Sequence, residues 1–244
     1  MEDSTRIIEE RDIPEVDCLV AGFPGNGLIG GIASEQMIST LGLEQVASLD
    51  CDDFPPTAVI FDGVPRRPVR FFAGKGFMLV KSDMVIPPDS ASKIAKAVIR
   101  WIKDLGVKEV IIFDGIPERE EPEENKVWGV LSMHEAGDLA DKLGIELIHR
   151  GAISGIASSL LLNASENKLD AVGLLAEGNT NMPDPRAAAN ILEIFAKYKE
   201  LDISTEELIK SAEQLEQELS QLVNQTQKAQ EEMEERTAHP PLYG

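Results

Sequence analysis

Strands alternating with helical stretches predict an α/β fold: a mostly parallel sheet covered by helices on both faces, with a C-terminal helical extension. Three observations carry this reading. Glu109-Val-Ile-Ile-Phe113 is a nearly continuous apolar run, of the kind buried on both faces in a parallel sheet. Helical periodicity recurs between such runs, clearest at Ile94, Ala97, Val98, Trp101 and Ile102. Hydrophobic residues make up 43% of the chain but aromatics only 5%, so an aliphatic core of Val, Ile, Leu and Ala has to fill the space between layers.

In chain order, 17–23 (Asp17-Cys-Leu-Val-Ala-Gly-Phe23) reads as a buried strand entering a glycine-rich turn. A helix follows through Ile29, Ile32, Ala33, Gln36, Met37, Thr40 and Leu41. Short strands are expected at 45–49, 57–62, 68–73 and 76–81, separated by punctuation such as Pro55-Pro56 and Gly74-Lys75-Gly76. Asp89 or Ser90 is suited to cap the next helix, which Gly106 stops before the strand from Glu109. The acidic stretch Asp114–Lys126 reads as a solvated loop. A helix at 132–143, a strand at Glu146–His149, a helix at 155–164 opened by Ser154-Gly155, and a strand at Asp170–Glu177 come next. Asp184-Pro185 then supplies an N-cap and a first-turn proline for a last core helix.

Composition changes after Tyr198, which divides the chain into an α/β core (1–200), an acidic heptad helix (201–236) and an extended tail (237–244). Ser204-Thr205-Glu206-Glu207 has the spacing of a capping box with Ser204 as cap. A seven-residue repeat then aligns Leu208, Leu215, Leu222 and Ala229 on one seam position, and Ala212, Leu219, Thr226 and Met233 on the other. The stripe suits helix–helix association within or between subunits, with Leu208, Leu215, Leu219 and Leu222 as oligomerisation residues. The alternative is an amphipathic helix lying on its own domain. Pro240-Pro241 holds the last residues extended. The hydrophobic-Tyr-any ending Leu242-Tyr243-Gly244 is therefore expected to project toward a partner.

The formal net charge of -20 argues against a nucleic-acid surface, which needs clustered Lys and Arg. Cys18 and Cys51 stand far apart and outside any C-x-x-C pattern, consistent with a reducing cytoplasm. The N-terminal dozen residues are too charged for a leader peptide, and no apolar run approaches the roughly 18 residues of a membrane span. A cytoplasmic protein without a cofactor is expected.

Gly22-Phe-Pro-Gly-Asn-Gly-Leu-Ile-Gly-Gly31 invites a nucleotide reading, because Gly25, Gly27 and Gly30 mimic a G-x-G-x-x-G fingerprint. Gly22, Gly25, Gly27 and Gly30 are thus a candidate ligand loop. Equally, they permit a tight turn and close helix–sheet packing. No Gly-Lys-Ser/Thr follows, which excludes a P-loop. His134-Glu135 lacks the second histidine of H-E-x-x-H, because Asp138 stands there, and three histidines in all make a multi-His zinc site a poor expectation. Ser154 falls short of a nucleophile elbow, since Ala152 occupies a required glycine position. Asp62 and Asp114 sit at strand ends, where α/β ligand sites often lie.

The order Gly22–Gly30, Phe54-Pro-Pro56, Asp62-Gly63, Ser154-Gly155 and Pro183-Asp-Pro-Arg-Ala-Ala188 resembles the archaeal proteasome assembly chaperone family, related to the eukaryotic chaperones that help build the proteasome α-ring. The resemblance spans about residues 7–210. It implies a three-layer core similar to the nucleoside-phosphorylase class, homo-oligomeric assembly and no catalysis. It further implies that Leu242, Tyr243 and Gly244 dock between α-subunits of the proteasome core particle, where the terminal carboxylate meets a lysine. Burial of Leu242 and the Tyr243 ring, with a charge-assisted hydrogen bond to the carboxylate, is the physics of such a contact. A small-molecule enzyme using the glycine loop is the rival reading.

Overall fold

The computed structural model describes residues 5–117, 126–179, 182–212 and 214. The first half carries β1 (Thr5–Glu9), β2 (Cys18–Gly22), α1 (Ile29–Leu41), β3 (Glu44–Cys51), β4 (Val59–Phe61), β5 (Val64–Arg66), β6 (Val69–Gly74), β7 (Phe77–Ser82) and α2 (Pro88–Asp104). The second half carries β8 (Glu109–Pro117), β9 (Val127–Leu131), α3 (Gly137–Leu143), β10 (Glu146–Leu147), α4 (Gly155–Glu166), β11 (Asp170–Gly178) and α5 (Pro185–Lys199).

One nine-stranded sheet has the order β1-β3-β6-β7-β2-β8-β11-β9-β10, and β4 and β5 form a separate hairpin. The middle strands β7, β2, β8 and β11 are parallel. Antiparallel pairs extend the sheet on both sides. The expected α/β sandwich is therefore present, with its parallel part concentrated at the centre, where both faces are covered.

Burial follows the alternation of each central strand. Leu19, Ala21, Val110 and Ile112 face a layer that includes Ile94, Val98 and Ile102 of α2 and Leu160, Leu161 and Ala164 of α4. Cys18, Val20, Ile111 and Phe113 face Ile29, Ala33 and Met37 of α1 and Ile191, Leu192 and Phe195 of α5. Phe195 meets Phe77 and Phe113 edge-to-face at 5.4 and 5.6 Å between centroids, the favoured geometry for aromatic pairs. Where α5 ends, the Tyr198 hydroxyl donates to Glu109 at 2.7 Å and Lys199 donates to the other Glu109 oxygen at 2.7 Å. These bonds tie the end of α5 to the start of β8.

Several expectations need correction. α2 begins at Pro88, one residue before the expected cap, so Asp89 serves in its first turn beside the positive helix end. β8 runs on to Pro117, into the segment read as loop. The helix expected from 132 starts with a 3-10 turn at His134–Ala136 before α3, and the strand expected at 146–149 shrinks to Glu146–Leu147. Thr205, not Ser204, stands at the start of the next helical stretch (206–212), its carbonyl accepting from the Ile209 N–H at 3.0 Å. The Ser204 carbonyl instead accepts from Gln36 of α1 at 2.8 Å.

Strands β1, β5 and β9 were not anticipated. Among the described residues β1 pairs only with β3, and Arg6 and Glu9 flank Ile7 and Ile8, charges that suit a protected edge. β9 has Gly129 at its centre, which weakens its strand signal. A Cβ there would lie 2.8 Å from both Ile145 and Leu147 side chains, so close packing of β9 against that segment requires the glycine.

Candidate functional site

The glycine turn between β2 and α1 is pressed against the carboxyl ends of β8 and β11. Gly27 has φ +61°, and a Cβ on it would lie 2.8 Å from the Asn179 carbonyl oxygen. At Gly30 a Cβ would lie 2.5 Å from the Phe113 oxygen and 2.7 Å from the Phe23 oxygen. At Gly22 it would meet the Ser34 hydroxyl at 2.0 Å, a group that donates to the Gly30 carbonyl at 2.8 Å. Asn26 donates its side-chain N–H to the Gly115 carbonyl at 2.9 Å. These glycines are thus required by packing: the start of α1 abuts strand-end carbonyls too closely for a Cβ.

Asp184 completes the arrangement. Its Oδ1 accepts from the Ala187 N–H at 2.9 Å, capping α5, and its Oδ2 accepts from the Asn179 N–H at 3.0 Å. Its own N–H donates to the Gly27 carbonyl at 2.8 Å. The Pro183-Asp-Pro-Arg segment therefore staples the glycine turn, the end of β11 and the start of α5.

Beside the turn lies a cavity of about 420 Å³, bordered by the segments after β2 and β7, the end of β8 and the start of α4. β2 is followed by strands on one side of the sheet and β8 by strands on the other, so the cavity occupies a topological switch point, the usual ligand crevice of open α/β sheets. Phe23, Pro24, Ile86, Ile112 and Ile156 make its wall largely apolar, and Gly25 belongs to the wall. Gly22, Gly27 and Gly30 do not.

Three polar side chains border the cavity: Asn26, already bound to the Gly115 carbonyl, Asp114 and Ser154. Asp114 Oδ1 accepts from the Gly115 N–H at 2.8 Å, and burial raises this carboxyl from 3.8 to about 6, against the lowering effect of that bond. Ser154 precedes α4 and makes no side-chain capping bond, whereas Ser158 and Ser159 donate back to the Gly155 carbonyl. No Lys, Arg or His borders the cavity among the described residues, so Ser154 has no histidine there to activate it.

The other candidates are scattered. Asp62 sits at φ +49° in the turn of the β4–β5 hairpin, and His134 sits in the 3-10 turn ahead of α3. Among the described residues no group of three His, Cys, Asp or Glu is arranged to hold a metal, and no helix is long and apolar enough to cross a membrane. Burial, with Glu109 second, raises the Cys18 thiol well above its usual value, which keeps it in the unreactive form. Leu208 (8% exposed) and Ala212 (3%) are buried, Leu208 within the core layer that contains Phe195. At this end the heptad stripe seats the helix on its own domain. Leu215, Leu219, Leu222 and the tail Leu242, Tyr243 and Gly244 lie outside the described residues.

Sequence reasoning missed the cavity. Its walls come from four segments spread between Phe23 and Ala157, and although Gly25, Asp114 and Ser154 each stood out in the sequence, nothing local showed that they meet.

The fold and the stapled turn define a three-layer α/β protein with a mixed sheet and a switch-point cavity. The chain belongs to the PAC2 family, whose model matches residues 19–223. It is 34% identical over 227 residues to the protein MJ0106 of Methanocaldococcus jannaschii, covering 92% of this chain and 93% of that one. Among solved structures it is similar to Pyrococcus furiosus PbaA, an archaeal homolog of proteasome-assembly chaperone, with TM-score 0.82 and 30% identity over 96% of this chain and 97% of that one. Pyrococcus furiosus PbaB, an archaeal proteasome activator, shares the fold at TM-score 0.80 and 24% identity, over 90% and 99% of the two chains. The family resemblance read from the glycine turn and the Pro183–Ala188 segment is thus upheld.

Proposed function

We propose that this protein is a non-enzymatic, ATP-independent proteasome assembly chaperone or activator-like protein that docks on α-subunits of the core particle as a homo-oligomer. The observation that carries the reading is the similarity to PbaA along nearly the whole of both chains, at 30% identity. The contact is assigned to Leu242-Tyr243-Gly244, whose hydrophobic-Tyr-any pattern provides two groups for burial and a carboxylate for a lysine. One such tail binds weakly. Several tails on one oligomer bind far more tightly, because each docked tail raises the effective concentration of the next.

Against the rival nucleotide-enzyme reading stand the crowding at the start of α1 and a cavity wall with no cation for phosphate among the described residues.

The test is a pull-down of recombinant proteasome α-ring by the full chain, by the chain lacking 242–244 and by Tyr243→Ala, with oligomer mass measured by light scattering. Loss of binding by both variants at unchanged mass is expected. Full binding by the truncated chain overturns tail docking, and no binding by the intact protein overturns the proteasome as partner.

A further inference from the structure

The switch-point cavity owes nothing to the docking reading. Its volume of about 420 Å³ falls within the range of pockets that hold small organic ligands. Its chemistry is asymmetric. Phe23, Ile86, Ile112 and Ile156 supply apolar wall, and a carboxyl, Asp114, supplies the charge.

One Asp114 oxygen is engaged by the Gly115 N–H, and Oδ2 accepts no hydrogen bond among the described residues. Among the described residues, Asp114 is also the one titratable group on the wall. The turn after β2 contributes Phe23, Pro24, Gly25 and Asn26, the loop after β7 contributes Val85, Ile86 and Pro88, and α4 contributes Ser154, Gly155, Ile156 and Ala157. None of these carries a charge. An anion entering this space meets like charge and finds no lysine or arginine among the described residues. A cation meets an uncompensated carboxylate in a poorly hydrated setting, where a charge-assisted hydrogen bond is strong.

We propose that the cavity is a binding site for an alkylammonium group, with Asp114 accepting from the ammonium and the apolar wall covering its hydrocarbon body. The ammonium belongs either to a free small amine or to a lysine side chain of a bound peptide. Asp114 is buried enough to titrate near neutrality, at about 6, so binding follows its ionisation. From pH 8 to pH 5 the ionised fraction falls about tenfold, and affinity falls with it.

Titration calorimetry on the full-length protein tests this with hexylamine and Nα-acetyl-lysine N-methylamide as the two sources, and hexanol and hexanoate as controls. Saturable binding of at least one amine is expected at pH 8, about tenfold weaker at pH 5, with neither control binding comparably. The tighter of the two amines identifies the source. Asp114→Asn abolishes the pH dependence and weakens binding at pH 8 at least tenfold. Ile156→Trp, which fills the cavity from the α4 side, blocks binding with Asp114 intact and serves if Asp114→Asn does not fold. Absence of saturable amine binding at pH 8, or equal binding by wild type and both variants, overturns the proposal.

Discussion

The backbone N–H of Asp184 donates to the carbonyl oxygen of Gly27 at 2.8 Å, joining residues 157 positions apart. Its side chain caps α5 and accepts from Asn179, so one residue ties three segments together. Asp184→Ala removes a helix cap and a charged acceptor while leaving the backbone bond. A loss of about 2 kcal/mol is expected, read as a lower urea midpoint at unchanged slope. Asp184→Asn retains the capping oxygen and falls between the two.

Neighbouring glycines in α1 respond with opposite signs. A Cβ on Gly30 meets two backbone carbonyl oxygens at 2.5 and 2.7 Å, whereas one on Gly31 finds nothing nearer than Pro24 at 3.8 Å. Gly30→Ala forces the helix off the sheet and costs about 3 kcal/mol or more. Gly31→Ala gains up to about 1 kcal/mol, the helix-propensity difference. Thermal unfolding of the two variants side by side checks the contrast.

The Asp114 carboxyl makes stability fall as pH rises. Its folded pKa of about 6 exceeds the reference 3.8, so the folded state holds the proton more tightly. Its stabilising contribution is complete below about pH 4 and is lost as pH rises through about 6. Asp114→Asn is a neutral near-isostere that keeps an acceptor for the Gly115 N–H. It should be more stable than wild type at pH 8, by of order 2–3 kcal/mol, with the difference shrinking toward pH 4. Denaturant midpoints at the two pH values decide this, and an equal offset at both excludes titration of Asp114 as its source.

Both cysteines are free and buried, and burial holds Cys18 as a thiol. A thiol reagent should find neither in the native protein at pH 8, and both once the chain is unfolded in guanidinium. Rapid labelling of one thiol under native conditions shows local opening around Cys18 or Cys51.

If the seam beyond residue 214 associates subunits, a chain ending there keeps Leu208 and Ala212 seated on their own domain yet loses oligomer mass. Its thermal midpoint, measured at low concentration, stays close to that of the full chain. Retained mass assigns association to the core instead.

The stapled turn shows why the sequence was legible in parts. Gly22–Gly31 and Asp184-Pro185 each announce a local event, a tight strand–helix turn and a helix start, and both occur. That Asp184 binds Gly27, or that Gly30 sits under Phe113, was not legible, because each depends on a partner brought close only by the sheet order.

The sequence by itself determined the central parallel strands, the helices between them and the family. These are written in hydrophobic periodicity and short motifs, both local properties of the chain. Tertiary structure alone decided three things. It chose β1 and β9 as strands, since pairing with β3 and β11 outweighs their weak local signals. It turned Leu208 inward, since an apolar stripe fits a neighbouring layer of its own core as well as a second helix. It also singled out Asp114 from many exposed acids by burying it in a cavity wall, because desolvation arises from the surroundings a carboxylate is folded into.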